Sequence, residues 1–376
     1  MKIIVAPDSF KNSMTAKQAT DQIINGLKSI DSHLNCIPLP MADGGEGTMS
    51  VLMTQLGGTI HKVQVKDALG RPIDAQFGIN TTRRIAVIDM ASASGIEHLK
   101  PEELNPLKTS TFGTGQLIQA CLKYKPKEIF LGVGGSATND GGVGAATALG
   151  YHFYNDQDRP IASGNQGLAQ LTKIEKPQNL SSLPRILVFN DVANPLLGEN
   201  GASKIFGPQK GATPNMIIKL ENNLAHLSRI VKRDLGTDYT NDWGTGSAGG
   251  LGFGLKTFFD AKLVSGINKM LEVAQFEKLC QDADFVITGE GSFDTQSRSG
   301  KVPFGIAKAS LKWNSNCQIV ILAGKVAADL VDLPQNIRLI KNINDEVPES
   351  QRTIQNGQEN IRQTARWLAL HHFDKN

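Results

Sequence analysis

Five times along this 376-residue chain, a short apolar run gives way at once to a loop rich in glycine and polar residues. The loops read APDSFKNS (6–13), MADGGEGT (41–48), GVGGSATNDGG (132–142), NDVANPLLG (190–198) and TGEGSFDTQS (288–297). Runs such as KIIVA (2–6) and RILVFND (185–191) lack polar alternation, which suits strands buried on both faces of a parallel sheet. In such sheets ligands bind beyond the carboxyl ends of the strands. One loop of this kind is an ordinary turn. Five in one chain point to an enzyme.

The pattern changes along the chain. Residues 15–29 have helical spacing with Thr15 or Ser13 as N-cap, CIPLP (36–40) reads as a second strand and 47–56 as a helix. From GTIHKVQVKD through RPIDAQFGIN to RRIAVIDMA, apolar residues alternate with period two between turn signals, which predicts an antiparallel meander and a domain border near residue 60. Helices are expected over 114–124, from 142, over 215–235 and over 260–280, with strands at 128–134 and 185–191. Near 284 the strand–helix rhythm returns with DFVIT, a helix 303–312, the strands QIVILAG and RLIKNI, and a last helix 356–371. The length alone favours about two domains.

Composition removes several classes of function. Net charge is +3, from 39 basic and 36 acidic residues with no basic stripe, so neither nucleic acid nor a membrane surface is an expected partner. The four cysteines lie far apart and read as buried thiols of a reducing, cytoplasmic protein. No run reaches the ~18 apolar residues of a membrane helix. The 38 glycines cluster at 44–47, 132–150, 244–254 and 289–300, which marks loops built from backbone.

The 132–142 loop has three readings. A P-loop needs GxxxxGK[ST], and the GK pairs at 300–301 and 324–325 are each followed by valine. Gly132 to Ala137 satisfies the GxGxxA of a dinucleotide site, with Asp156 following 24 positions after Gly132, but two adjacent glycines stand where the helix should open. The third reading is a nest of backbone N–H groups and a helix N-terminus holding an anion. GTGSAGGLGFGL (244–255) suits close packing or a second phosphate contact equally. Lys11, Lys210 and Lys301, each on a polar loop, read as solvated by default.

Taken in order, these loops resemble the glycerate kinases of the bacterial type. The resemblance rests on APDSFKNSMTAKQA, PMADGGEGT, TFGTGQLI, GVGGSATNDGGVGAATALG, NDVANPLLGENGASKIFGPQKGA, GTGSAGGLGFGL and ITGEGSFDTQSRSGKVPFGIA, and runs end to end. It implies phosphorylation of D-glycerate by ATP with Mg²⁺, giving the 2-phospho product, with the 3-phospho product left open. It also implies an α/β fold in two domains. A flavodoxin-like parallel-sheet domain would form from 1–60 plus 284–376, and a mixed-sheet, restriction-endonuclease-like domain, 61–283, would be inserted in it. Where that family has Phe-Lys-Gly-Ser, this chain has Phe10-Lys11-Asn12-Ser13; asparagine tolerates positive φ better than most residues, so the turn can survive.

The residue expectations follow from this reading. Asp191 and Lys11 are the catalytic candidates. Asp8, Ser9, Asp43, Glu46, Asp294 and Lys301 are expected at the substrate. Gly134, Gly135, Ser136, Thr138, Asn139 and Gly141, with Gly246, Gly249 and Gly250, are expected at the ATP phosphates, and Asp43 and Asp191 at Mg²⁺. Phosphoryl transfer asks a protein mainly for positioning and charge neutralisation, which these residue types supply. An inserted domain suggests a cleft that closes on substrate, in a monomer or homodimer. The rival reading is an NAD-dependent hydroxy-acid dehydrogenase.

Overall fold

The computed structural model describes residues 1–45, 47–178, 183–294 and 301–373. Among these, the strands are β1 (Lys2–Val5), β2 (Asn35–Pro38), β3 (Thr59–Lys66), β4 (Pro72–Asn80), β5 (Ile85–Asp89), β6 (Glu128–Gly132) and β7 (His152–Tyr154). They continue with β8 (Lys173–Glu175), β9 (Arg185–Phe189), β10 (Lys262–Val264), β11 (Phe285–Phe293), β12 (Gln318–Val326) and β13 (Ile337–Asn342). The chain forms two compact units, Met1–Asp43 with Ser265–Asn376, and Gly44–Val264.

The first unit is built on an all-parallel sheet in the order β13-β12-β11-β1-β2. Renumbered within the sheet this is 2-1-3-4-5, the strand order of flavodoxin-like doubly wound sheets. Ile3, Ile4 and Val5 of β1 and Ile319 to Ala323 of β12 are buried, as strands covered on both faces require. The Ala16–Lys28 helix opens with a capping box: the Thr15 hydroxyl accepts from the Gln18 N–H while the Gln18 side chain accepts from the Thr15 N–H. Its buried face packs on the Gly357–His372 helix, so closely that a Cβ on Gly26 would lie 2.4 Å from the Arg362 carbonyl oxygen.

The second unit carries a mixed sheet in the order β10-β9-β6-β5-β4-β3. The alternating segments form the antiparallel β3-β4-β5 meander, and β5, β6, β9 and β10 then run parallel. Asp89, Gly132 and Phe189 end three adjacent strands in register. A separate antiparallel pair, β7 and β8, stands apart from this sheet.

Three differences from the sequence reading have physical causes. The units divide at 43/44 and 264/265, ahead of the borders expected near 60 and 284, because the Thr48–Leu56 helix packs on β4 and β5 while the Gly266–Val273 and Phe276–Cys280 helices pack on the Val302–Trp313 helix. The single helix expected over 260–280 is the edge strand β10 followed by those two helices, broken where Gln275 takes φ 51°. The loop expected at 288–297 starts later, since β11 runs on to Phe293 alongside β12. Among the described residues no helix is long and apolar enough to cross a membrane.

Candidate active site

In the first unit β1 stands between β2 and β11, where the strand order reverses, and ligands of such sheets bind beyond the carboxyl ends at that point. Pro7-Asp8-Ser9 leaves β1 there: the Asp8 N–H donates to the Gly289 carbonyl at 2.8 Å, and the Met41 N–H to the Pro7 carbonyl at 2.9 Å. Burial, then the nearby Asp43, then Glu290 hold the Asp8 carboxyl well above the usual carboxylate range, against the Ser9 N–H that donates to it at 2.6 Å. Glu290 is buried on β11, and the Lys301 ammonium stands 3.1 Å from its Oε2 and 3.9 Å from Oδ1 of Asp294. Lys301 is therefore an ion-paired residue and not the freely solvated one expected by default.

Lys11 is exposed on a turn closed by Phe10 and Met14, whose N–H groups each donate to the other's carbonyl at 2.9 and 3.0 Å. Asn12 takes φ 64° in that turn, the left-handed conformation that glycine would otherwise supply. Asp8, Ser9, Lys11, Asp43, Asp294 and Lys301 thus belong to one unit, at or following strand ends. Glu46 lies outside the described residues.

A carboxyl that is already reluctant to ionise leaves a testable mark on stability. With its pKa raised, Asp8 binds a proton more readily in the folded than in the unfolded chain, so its contribution to stability falls as pH rises through and above the ordinary carboxylate range. Asp8→Asn is expected to raise Tm by about 2–4 °C per kcal/mol relieved at neutral pH. The gain should shrink toward zero near pH ~4. Thermal melts at several pH values measure this, and a gain independent of pH would count against the assignment.

In the second unit the 133–141 loop leaves the end of β6. Gly134 donates its N–H to the Gly44 carbonyl at 3.1 Å, and a Cβ on Gly134 would lie 2.5 Å from Gly45 Cα. On the other side, Ile96 N–H donates to the Gly135 carbonyl and Ala137 N–H to the Ser94 carbonyl. Gly135 is exposed at φ 72°, and neither its N–H nor that of Ser136 finds a partner among the described residues. Gly135 is the exposed part of the expected nest, and Ser136 is buried beside it.

The rest of the loop turns inward. Thr138 and Asn139 are fully buried; Asn139 accepts from the Asn165 amide and the Ser203 hydroxyl, while Thr138 Oγ1 and Asn139 Nδ2 have no partner among the described residues. The Val143–Ala148 helix does not offer its N-terminus to an external anion, as the sequence suggested, because Asp140 occupies it. The Asp140 carboxylate accepts from the N–H groups of Thr111, Gly142 and Gly144 at 2.8, 3.2 and 3.1 Å and from the Thr111 and Ser110 hydroxyls. Burial raises its pKa, and the donors oppose that.

Gly249 and Gly250 close on the back of this loop. A Cβ on Gly249 would lie 1.9 Å from the Thr138 carbonyl oxygen, and one on Gly250 3.0 Å from Gly141 Cα; Gly246 is tight against the Pro195 carbonyl at 2.1 Å. Lys210 differs from the solvated surface lysine of the sequence reading: it is buried, and its ammonium donates to Ser136 Oγ and the Thr138 carbonyl, each at 2.7 Å. No motif signals it, since a lysine on a Gly-Pro-Gln-Lys-Gly turn looks the same facing in or out.

Asp191 is half-buried two residues beyond Phe189, whose partner on the adjacent strand is Gly132, so Asp191 and Gly134 follow neighbouring strand ends. Asn190 fixes that end, its N–H donating to the Val264 carbonyl at 3.0 Å and its side-chain amide to the Val192 carbonyl at 2.7 Å. Asp89, absent from the expectations, ends β5 one strand further on and accepts from the Met49 N–H at 3.0 Å. It closes the apolar run RRIAVIDMA, so the rule that ligand-binding groups follow strand ends applied to it equally.

The dinucleotide reading does not fit this geometry. The helix opens at Val143 and not at the third position of the motif, and Asp156 follows β7 of the two-stranded sheet and not a strand of the parallel array. The glycerate kinase family model matches residues 3–371. The chain belongs to the glycerate kinase family. It is 40% identical over 372 residues to a glycerate kinase of Haemophilus influenzae, covering 98% of both chains. It is also 40% identical over 336 residues to the glycerate 2-kinase of Escherichia coli, covering 88% of this chain and 87% of that one. Among solved structures it resembles a glycerate kinase 2 of Salmonella typhimurium LT2, with a TM-score of 0.83, 38% identity and coverage of 98% of this chain and 97% of that one. This chain is accordingly a kinase.

Three or more metal-ligating side chains do not converge anywhere among the described residues. Mg²⁺ in kinases is commonly carried by phosphate oxygens and one or two carboxylates. Asp8 beside Asp43, two like charges of which one is driven toward neutrality, is a donor set that a divalent cation would relieve.

Proposed function

We propose that this kinase transfers the γ-phosphoryl group of ATP to the 2-hydroxyl of D-glycerate in the cytoplasm. The supporting observation is the pair of amides without a partner among the described residues, the exposed Gly135 and the buried Ser136 next to it, in the loop after β6, with the Asp191 carboxylate following the next strand. Amides without internal partners suit phosphate oxygens, and a carboxylate at a neighbouring strand end suits a hydroxyl that must lose its proton. The Escherichia coli relative's name, glycerate 2-kinase, supports the choice of hydroxyl.

In this mechanism Asp191 accepts the proton of the glycerate hydroxyl as its oxygen bonds to the γ-phosphorus, and the bond to the β–γ bridging oxygen breaks to leave ADP. Gly135 and Ser136 hold phosphate oxygens, with Gly134 fixed on the Gly44 carbonyl; Thr138, Asn139 and Gly141, with Gly249 and Gly250, support that loop from behind, and Gly246 packs on Pro195. Lys11 and Lys301 offer positive charge to the substrate carboxylate or the moving phosphoryl group. Asp8, Ser9, Asp43 and Asp294 hold hydroxyl groups. Mg²⁺ bound with ATP would neutralise phosphate charge, with either Asp43 of the first unit or Asp191 of the second as a protein carboxylate where it is not engaged by substrate.

Incubation with ATP, Mg²⁺ and D-glycerate followed by phosphorus NMR tests the reading. ADP and 2-phosphoglycerate are expected. The 3-phospho isomer would overturn the choice of hydroxyl, and absence of ADP release would overturn the activity.

A further inference from the structure

Lysine is almost never fully buried unless its charge is paired. Lys210 is 1% exposed, and its two hydrogen-bond partners, Ser136 Oγ and the Thr138 carbonyl, are both neutral. The acid that acts on it, Asp140, is already saturated by three N–H groups and two hydroxyls. Glu103, on the segment whose Leu104 packs against Gly211, is engaged by Arg71 at 2.6 Å. The ammonium is held in place by its backbone: Lys210 ends a 3₁₀ turn, and Gly211 follows at φ 87° where a Cβ would lie 2.6 Å from the Leu104 carbonyl oxygen. When charged, Lys210 is therefore an undercompensated cation bonded to the loop that carries the Gly135 and Ser136 amides.

Direction matters at Ser136. An ammonium only donates, so Ser136 Oγ is the acceptor of that bond and its own O–H proton is left for another acceptor. We propose that Lys210 is the positioning residue of the phosphate loop, turning the Ser136 hydroxyl toward a phosphate oxygen of ATP and supplying the charge that the anion completes. This rests on the reading that phosphate docks at Gly135 and Ser136. Burial pushes Lys210 down to about 7, against the pull of Asp140, so an arriving polyanion shifts it back toward the charged form and ATP binding takes up a proton.

The test is titration of the wild-type protein with MgATP, without glycerate, in two buffers of different ionisation enthalpy at pH about 8, one unit above the value to which burial pushes Lys210. Uptake of most of one proton per ATP is expected. Lys210→Met should bind MgATP roughly tenfold more weakly and take up no proton, with KM for glycerate unchanged. Lys210→Arg, charged at every pH, should retain affinity but lose the proton uptake, which a packing role alone does not predict. Hydrogen exchange at 134–137 separates the two ideas. If MgATP leaves those amides unprotected, the phosphate-loop reading falls and this proposal with it. If they are protected but the wild type takes up no proton, the Lys210 proposal alone falls, and that result needs no folded variant.

Discussion

Asp191→Asn is expected to lower kcat by about 10²–10⁴-fold, the usual contribution of a positioned acid–base group. The substitution keeps shape and removes the ability to hold a proton, so the loop fixed by Asn190 should keep its place and KM for ATP should stay near its wild-type value. A coupled ADP-release assay with D-glycerate measures it. The Mg²⁺ dependence then separates the two roles offered to this side chain. A base loses rate at every Mg²⁺ concentration, and the acidic limb of the pH–kcat profile disappears with it. A metal ligand instead recovers rate at high Mg²⁺. A near-native kcat would remove Asp191 from both.

Asp140→Ala is expected to destabilise the Gly44–Val264 unit by about 3–5 kcal/mol, the cost typical of removing one partner from a buried charged network. The three N–H groups and two hydroxyls that converge on the carboxylate would be stranded in a buried site, along with the opening of the Val143–Ala148 helix. For a unit of this size that corresponds to a Tm lower by roughly 10 °C. Calorimetry measures it, and a loss under about 2 °C would show that water replaces the carboxylate without strain. Asp140→Asn, which retains an acceptor but points an amide at donors, should fall between.

Much of this fold is written in short-range chemistry. Thr15 and Gln18 announce a helix start by residue type and spacing, and the period of two from 59 to 89 announces the meander, because each side chain's face is set locally. β10 escaped because three residues between helices carry no period of their own. Borders shifted because what a helix joins depends on partners far away in sequence, as with Thr48–Leu56 and β4. The strand-end loops were legible as such, and Asp8 and the Gly134–Ser136 stretch lie on them. Thr138, Asn139 and Lys210 were misjudged for one reason: in a glycine-rich loop the backbone turns freely, so residue type does not tell which polar groups face out.

The first unit is closed by a pairing that spans most of the chain, Ile3 on β1 against Phe285 on β11. During synthesis β1 and β2 leave the ribosome long before β11 exists, while every strand of the Gly44–Val264 sheet is already made. The order of birth therefore has the middle of the protein reaching its final form before its beginning does. Until then Ile3, Ile4 and Val5 of β1 lack their β11 partner, the kind of open apolar edge that holding chaperones shield and that truncated chains, lacking β11, would leave exposed to aggregation.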